Sequence, residues 1–213
     1  MNANTRRHLL QGVTIVACAL VVSSIGGWGG ARRATADEEV TPAPVVLGDL
    51  RALSRQLETA RGELAVTRLQ LERADAVIEY STRYGIPADL AGAIYDIALA
   101  EGVDPALAFR LVKVESRFDA RAKSSAGALG LTQVLPSTAR LYEPGLASSQ
   151  LYDRDTNLRL GFRYLRDLLE RYDGNLERAL LAYNRGPGRL QEMLDSGLAS
   201  GDRYTRRVMG KTR

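Results

Sequence analysis

The chain has 213 residues with 45% hydrophobic and 25% charged residues, ordinary values that suit one globular domain with appendages. Its formal net charge is +4, but residues 1–36 hold Arg6, Arg7, Arg32 and Arg33 and no acid, so 25 basic residues face 25 acidic ones over the rest. A nucleic-acid-binding domain carries a basic face of its own, and the location of this excess charge argues against nucleic acid as a partner. The only cysteine, Cys18, and the only histidine, His8, also lie in that first stretch. Everything after it lacks thiol, imidazole and disulfide, which removes Ser-His-Asp catalysis, Cys-His catalysis and His/Cys zinc sites together. Carboxylates, hydroxyls, amides and arginines must carry the chemistry, and no metal or cofactor is expected.

Residues 1–36 have the pattern of an export signal or membrane anchor. Leu9 to Trp28 is nearly free of charge, preceded by Arg6-Arg7 and followed by Ala34-Thr35-Ala36, an A-x-A type cleavage site. The run from Thr5 to Gln11 looks like a twin-arginine signal. An uncleaved anchor is the alternative, since the stretch is near the lower length that spans a bilayer. The faint lipoprotein box at Ile15 to Cys18 sits in the wrong context, because the apolar run continues past the cysteine. Each reading places the remainder outside the cytoplasm, in the cell envelope or periplasm.

Residues 37–48, with Thr41-Pro-Ala-Pro44, form a linker. Over 49–82, Leu50, Leu57, Leu64, Leu71 and Ile78 recur every seven residues, with Leu53, Ala60, Thr67 and Ala74 three positions later. This heptad seam predicts a long amphipathic helix; Gly62 weakens it by about 1 kcal/mol relative to Ala without breaking it. Two readings stand open: a coiled-coil dimerisation helix, giving a homodimer through 49–82, or a single helix folded back onto its own chain.

Residues 85–210 read as a body of shorter helices. Pro87 and Pro105 mark helix starts, where a missing N–H costs nothing, and Asp104 is a natural N-cap. Further helices are expected near 137–142, 155–171, 175–183 and 188–196, punctuated by Gly and Pro. No alternating apolar run is long enough for a sheet. The fold class is mainly α.

In the helix opened by Asp104-Pro105, Ala108, Leu111, Val112 and Glu115 share one face. A glutamate in an apolar stripe is anomalous, and its burial would raise its pKa and keep a proton available near neutral pH. Pairing with Arg117, or a turn toward solvent at the helix end, would be the structural alternative. Four further segments follow Glu115-Ser-Arg-Phe118: Gly127 to Ala139 (GALGLTQVLPSTA), Asn157 to Leu165 (NLRLGFRYL), Ala182 to Gly188 (AYNRGPG) and Tyr204 to Val208 (YTRRV). In this order and spacing they resemble the catalytic domain of the soluble lytic transglycosylase family, relatives of goose-type lysozyme, over roughly 86–210. One departure is Thr132, where the family usually carries Met, which would alter a contact beside the sugar.

The resemblance implies a lysozyme-like helical domain that cleaves the β-1,4 bond between N-acetylmuramic acid and N-acetylglucosamine in peptidoglycan. It implies Glu115 as the single acid/base, assistance from the substrate's own acetamide, and a 1,6-anhydro product. Ordinary glycosidases need a second carboxylate, and Asp119, Asp153 and Asp155 lie in no motif that presents one. Gln133, Tyr183, Asn184 and Tyr204 would contact sugar or acid, with loop-holding the alternative for Gln133 and core packing for Tyr204. Ser116 would either orient Glu115 or cap the helix, and Asn157, Gly161 and Tyr164 would pack and cap. A goose-type lysozyme-like hydrolase and a non-catalytic glycan-binding scaffold are the competing functions.

Overall fold

The computed structural model describes residues 44–197 and 202–210; the export signal or anchor expected at 1–36 and the first part of the linker lie outside the described residues. Among the described residues there are eight α-helices and one 3₁₀ helix, and the only β pairing consists of isolated bridges at Lys123–Leu129 and Leu129–Val134. The mainly helical expectation holds.

Helix α1 (Pro44–Tyr84) has 41 residues, about 60 Å at 1.5 Å per residue, and runs through Gly62 without a break. Its heptad side chains are open to solvent, with Leu57, Leu64, Leu71 and Ile78 exposed by 50%, 70%, 61% and 63%. The contact between the end of α1 and the helices that follow uses other residues. Arg73 forks onto Asp96 through two bonds of 2.7 and 2.6 Å, and Tyr80 and Tyr84 stack on Phe109 with centroids 4.0 and 5.6 Å apart.

Helix α2 (Ala88–Ala100) and helix α3 (Pro105–Glu115) pair, and α2 also packs on the long helix α5 (Arg154–Arg171). Helix α4 (Pro136–Tyr142) and the 3₁₀ helix Ser148–Tyr152 lie on α5, and α6 (Leu176–Arg185) packs beside α5. Helix α7 (Pro187–Asp195) follows on α6, and α8 (Arg203–Val208) closes against both α3 and α6. The segments expected near 137–142, 155–171, 175–183 and 188–196 thus appear as α4, α5, α6 and α7. Their starts are set by side chains: Asp104 accepts from the Leu107 N–H, Asp153 from Thr156 and Asn175 from Arg178, satisfying N–H groups that a helix leaves without partners. The core between α2, α3 and α5 contains Ile94, Phe109, Leu111, Leu158, Phe162 and Leu165, none of them exposed.

Two polar devices fix this core. Glu101, the C-cap residue of α2, is nearly buried and accepts from Arg163 at 3.1 and 2.9 Å and from Arg166 at 3.3 Å, which ties α2 to α5. Asn157 on α5 is 1% exposed and uses its whole amide. Its oxygen accepts from the Thr132 N–H at 2.8 Å and the Thr132 hydroxyl at 2.7 Å, and its nitrogen donates to the carbonyls of Leu129 and Leu151, both at 2.8 Å. One side chain therefore pins the irregular 129–132 segment to α5, satisfying buried backbone groups that have no helix to pair within.

The Thr132 side chain is wholly buried and faces α5, so the sequence-based expectation of an altered contact beside the sugar is corrected. A threonine methyl and hydroxyl fill the space over the bare Cα of Gly161, where a Cβ would lie 2.2 Å from Thr132 Oγ1 and 2.4 Å from its Cβ. Gly161→Ala is expected to destabilise the protein by about 1 to 3 kcal/mol through overpacking. Asn157→Ala, which strands the buried Thr132 N–H and the Leu151 carbonyl while Leu129 keeps its bond from the Val134 N–H, is expected to cost about 3 kcal/mol. Urea denaturation measures both; a loss below about 0.5 kcal/mol in either variant would contradict this packing.

Candidate active site

Helix α3 buries Leu107, Ala108, Phe109, Leu111 and Val112 and ends at Glu115. The chain then leaves the helix abruptly: Ser116 caps it, and Arg117 and Phe118 both take positive φ, +56° and +68°. Two consecutive left-handed residues without glycine are strained, and they turn the backbone away so that the Glu115 side chain stays against the protein. The Ser116 hydroxyl donates to the Val112 carbonyl at 3.2 Å. Its hydroxyl is thus spent on the helix end, the capping alternative of the two considered.

The Glu115 carboxylate accepts a bond from the Tyr204 hydroxyl on α8 at 2.5 Å. Among the described residues it makes no ion pair, with Arg117 or any other cation. Burial pushes its pKa from 4.5 up to about 7, opposed in part by the Tyr204 bond, which favours the charged form. Tyr204, half-buried, is itself pushed well above the ordinary phenol value by burial and by the facing Glu115, so it remains a donor to the carboxylate at any physiological pH. Its contact with Glu115 spans 89 positions in the chain and decides between acid contact and core aromatic in favour of the first, although its ring also packs against the core.

Tyr183 on α6 is the second aromatic here. Its hydroxyl donates to the Thr132 carbonyl at 2.8 Å, and its ring lies 5.2 Å from that of Tyr164. Burial and then the Glu115 charge raise its pKa well above 10, which places it within the electrostatic reach of the acid. Asn184, the next residue, is exposed. Gln133 sits at φ +51°, and its amide nitrogen donates to the carbonyls of Ala122 and Gly130 at 3.2 and 2.9 Å. Both of its protons hold its own loop, leaving the amide oxygen as an acceptor. The structure therefore brings Tyr204 onto Glu115 and Tyr183 near it; it gives Ser116 and the Gln133 nitrogen local structural partners.

The aspartates considered as second acids are engaged elsewhere. Asp119 accepts from the Arg121 N–H, Asp153 caps α5, and Asp155 pairs with Arg154 at 2.7 Å. No carboxylate contributes to the raised pKa of Glu115. Asn157 is the supporting residue whose importance the motif alone understates: it sets Thr132, and Thr132 in turn accepts from Tyr183.

The Transglycosylase SLT domain matches residues 77–203. The chain belongs to that family. It is 36% identical over 93 residues to the soluble lytic murein transglycosylase of Escherichia coli K12, covering 41% of this chain and 14% of that protein. A solved lytic transglycosylase Slt from Pseudomonas aeruginosa, an inactive mutant carrying glutamine for glutamate, superposes with a TM-score of 0.50 at 28% identity, covering 56% of this chain and 22% of that one. The 70 kDa soluble lytic transglycosylase of E. coli superposes with a TM-score of 0.51 at 25% identity, covering 62% and 24%. The SLT chain described here thus spans a minor part of these longer relatives, and it shares their all-helical, lysozyme-like fold.

A carboxyl whose folded pKa is raised contributes stability in full below its unfolded value and loses it as pH rises through the folded one. For Glu115 that window runs from 4.5 to about 7, and the loss is up to about 3 kcal/mol at 1.36 kcal/mol per pKa unit. Glu115→Gln, which cannot ionise, should therefore become increasingly more stable than the parent between these pH values and keep that margin above them. Thermal melts across the range test this; a constant difference would show that Glu115 ionises without penalty.

Proposed function

We propose that this chain is a peptidoglycan lytic transglycosylase of the cell envelope, with Glu115 as its single acid/base. The observation that supports it best is a carboxyl whose pKa burial raises to about 7 beside Tyr204, at the position that opens the family's motif series. The lytic transglycosylase names of the relatives supply the reaction class, and the N-terminal pattern Arg6-Arg7 followed by an apolar run supplies the location.

The substrate is the β-1,4 bond between N-acetylmuramic acid and N-acetylglucosamine. Glu115 gives its proton to the glycosidic oxygen as the C1–O4 bond breaks, and the substrate's acetamide oxygen stabilises the cation developing at C1. The resulting carboxylate, held by the Tyr204 hydroxyl, takes the proton of the C6 hydroxyl as O6 closes on C1. The proton returns to Glu115, no water enters, and the product ends in a 1,6-anhydro ring. A group of pKa near 7 serves both halves because each protonation state is accessible. The Gln133 oxygen and the exposed Asn184 amide bind sugar hydroxyls and acetamide, and Tyr183 lines the same region.

Glu115→Gln keeps the shape and removes the proton; cleavage should fall roughly 10²- to 10⁴-fold, the usual contribution of a positioned acid/base. Near-parental turnover in a folded variant would end the assignment. Mass spectrometry of the digest should show ends lighter by one water than hydrolysis gives. Predominantly reducing ends would instead establish the goose-type lysozyme-like hydrolase.

Activity that needs protonated Glu115 should decline as pH rises through about 7, approaching tenfold per unit beyond it. Tyr204→Phe removes the bond that lowers this pKa, so the alkaline limb should move upward while the maximum rate falls. An unmoved limb would show that Tyr204 does not act on the acid.

A further inference from the structure

Helix α1 presents two different faces. At 100° per residue, Arg73, Val77, Tyr80 and Tyr84, which meet the helices that follow, lie roughly 110° around the axis from the heptad seam. The seam keeps its leucines in water: Leu53, Leu57, Leu64, Leu71 and Ile78 are each exposed by 50% or more. A row of large apolar side chains at heptad spacing, with Ala60, Thr67 and Ala74 between them, is a surface that coiled-coil pairing would bury. All of it but Ile78 lies before the family match at residue 77, so it belongs to this chain's own N-terminal part rather than to the domain shared with its relatives.

We infer that the seam Leu53–Ile78 pairs with the same seam of a second copy, in register and parallel. With Leu57, Leu64, Leu71 and Ile78 at position a, and Leu53, Ala60, Thr67 and Ala74 at position d, the flanking positions carry an uneven charge pattern. Position g holds Gln56, Glu63 and Gln70; position e holds Arg61, Arg68 and Asp75. In a parallel pair each g residue faces the next e residue of the other copy. That matches Gln56 to Arg61, Glu63 to Arg68 and Gln70 to Asp75, and no like charges meet. An antiparallel pair sets e against e and g against g. The antiparallel register that overlaps the whole seam then places Arg61 beside Arg68 twice, and shifting it by a heptad leaves part of the seam unpaired. Among pairings that bury the whole seam, charge therefore favours the parallel one, and its self-matching flanks fit a second copy as occupant. Arg68 can swing to its new partner, since its side chain is 80% exposed and its present contact with Glu72 is 3.9 Å long.

The test uses the full chain in mild detergent, with Cys18→Ser removing the native thiol and Leu57→Cys placing one in the seam far from its midpoint. Under oxidant a parallel, in-register pair should give a disulfide-linked dimer in high yield. Arg68→Glu should lower that yield severalfold, and adding Glu63→Arg should restore it. Unchanged glycan cleavage by the reduced Leu57→Cys chain verifies that it is folded. Monomer under oxidant, together with a parent that sediments as monomer at micromolar concentration, would overturn the proposal. Efficient cross-linking of Leu57→Cys only to a chain carrying Ala74→Cys or Thr67→Cys would overturn the parallel arrangement. A yield indifferent to both charge reversals would remove charge as its determinant.

Discussion

One carboxyl with a raised pKa sets the terms for the rest of the site. Glu115 is the last residue of α3, so the negative end of the helix dipole adds to burial in disfavouring its ionised form. Solvent access would return its pKa toward the ordinary range, and an arginine partner would push it lower still. The fold avoids both. Arg117, which has the charge to neutralise it, is carried away by left-handed backbone at Arg117 and Phe118, and α8 delivers a phenol instead. A phenol bonds the carboxylate without supplying a full charge, which leaves the carboxyl between acid and base rather than locked as an anion.

The second requirement is that the walls around this carboxyl do not relax. The 116–135 segment contains no helix or strand, so its backbone groups need partners from elsewhere. Asn157 supplies them from the first turn of α5, where a helix position fixes the amide better than a loop could. The order transmits directly: Asn157 fixes Thr132, and the Thr132 carbonyl receives the Tyr183 hydroxyl from α6. Close approach of Thr132 to α5 depends on Gly161 having no Cβ. The positive φ of Gln133 belongs to the same turn, and the two bonds from its amide nitrogen offset part of that strain. A glutamine here is thus a structural residue on its nitrogen side and a free acceptor on its oxygen side.

Much of this was legible before the coordinates, for identifiable reasons. The helix start at Asp104 carries its own signal, because a cap acts within four residues and leaves a local mark on composition; the caps at Asp153 and Asn175 were seen only in the structure. The anomaly of Glu115 was legible from the period of α3, and the raised pKa follows from the same stripe. What lay beyond reach depended on distant chain segments. The bond from Tyr204 joins residues 89 apart, and nothing local to a YTRRV segment distinguishes an acid contact from a core ring. Thr132 was misplaced beside the sugar because the 129–133 turn has left-handed positions at Gly130 and Gln133, so neither helical nor strand periodicity tells which way a side chain points. For α1 the heptad was plain in the sequence, but whether its leucines met their own chain required the exposure of each one.

The absence of histidine after residue 8 gives this arrangement its logic. An imidazole titrates near neutrality without help, whereas a carboxyl must be moved there by its surroundings. Among the described residues Glu115 is the one acid moved close to 7; Asp153 and Asp202, which cap helices, are instead held below the usual value, Asp153 by the Thr156 side chain and N–H and Asp202, against its burial, by the Thr205 N–H and Arg185. The same residue type thus does opposite work according to the backbone around it. At a helix start a carboxylate is stabilised as an anion and builds the fold. At the buried end of α3 a carboxyl is stabilised as an acid, at a cost in stability once pH exceeds its pKa. That cost accompanies the one carboxyl, among the described residues, whose surroundings bring its pKa to about 7.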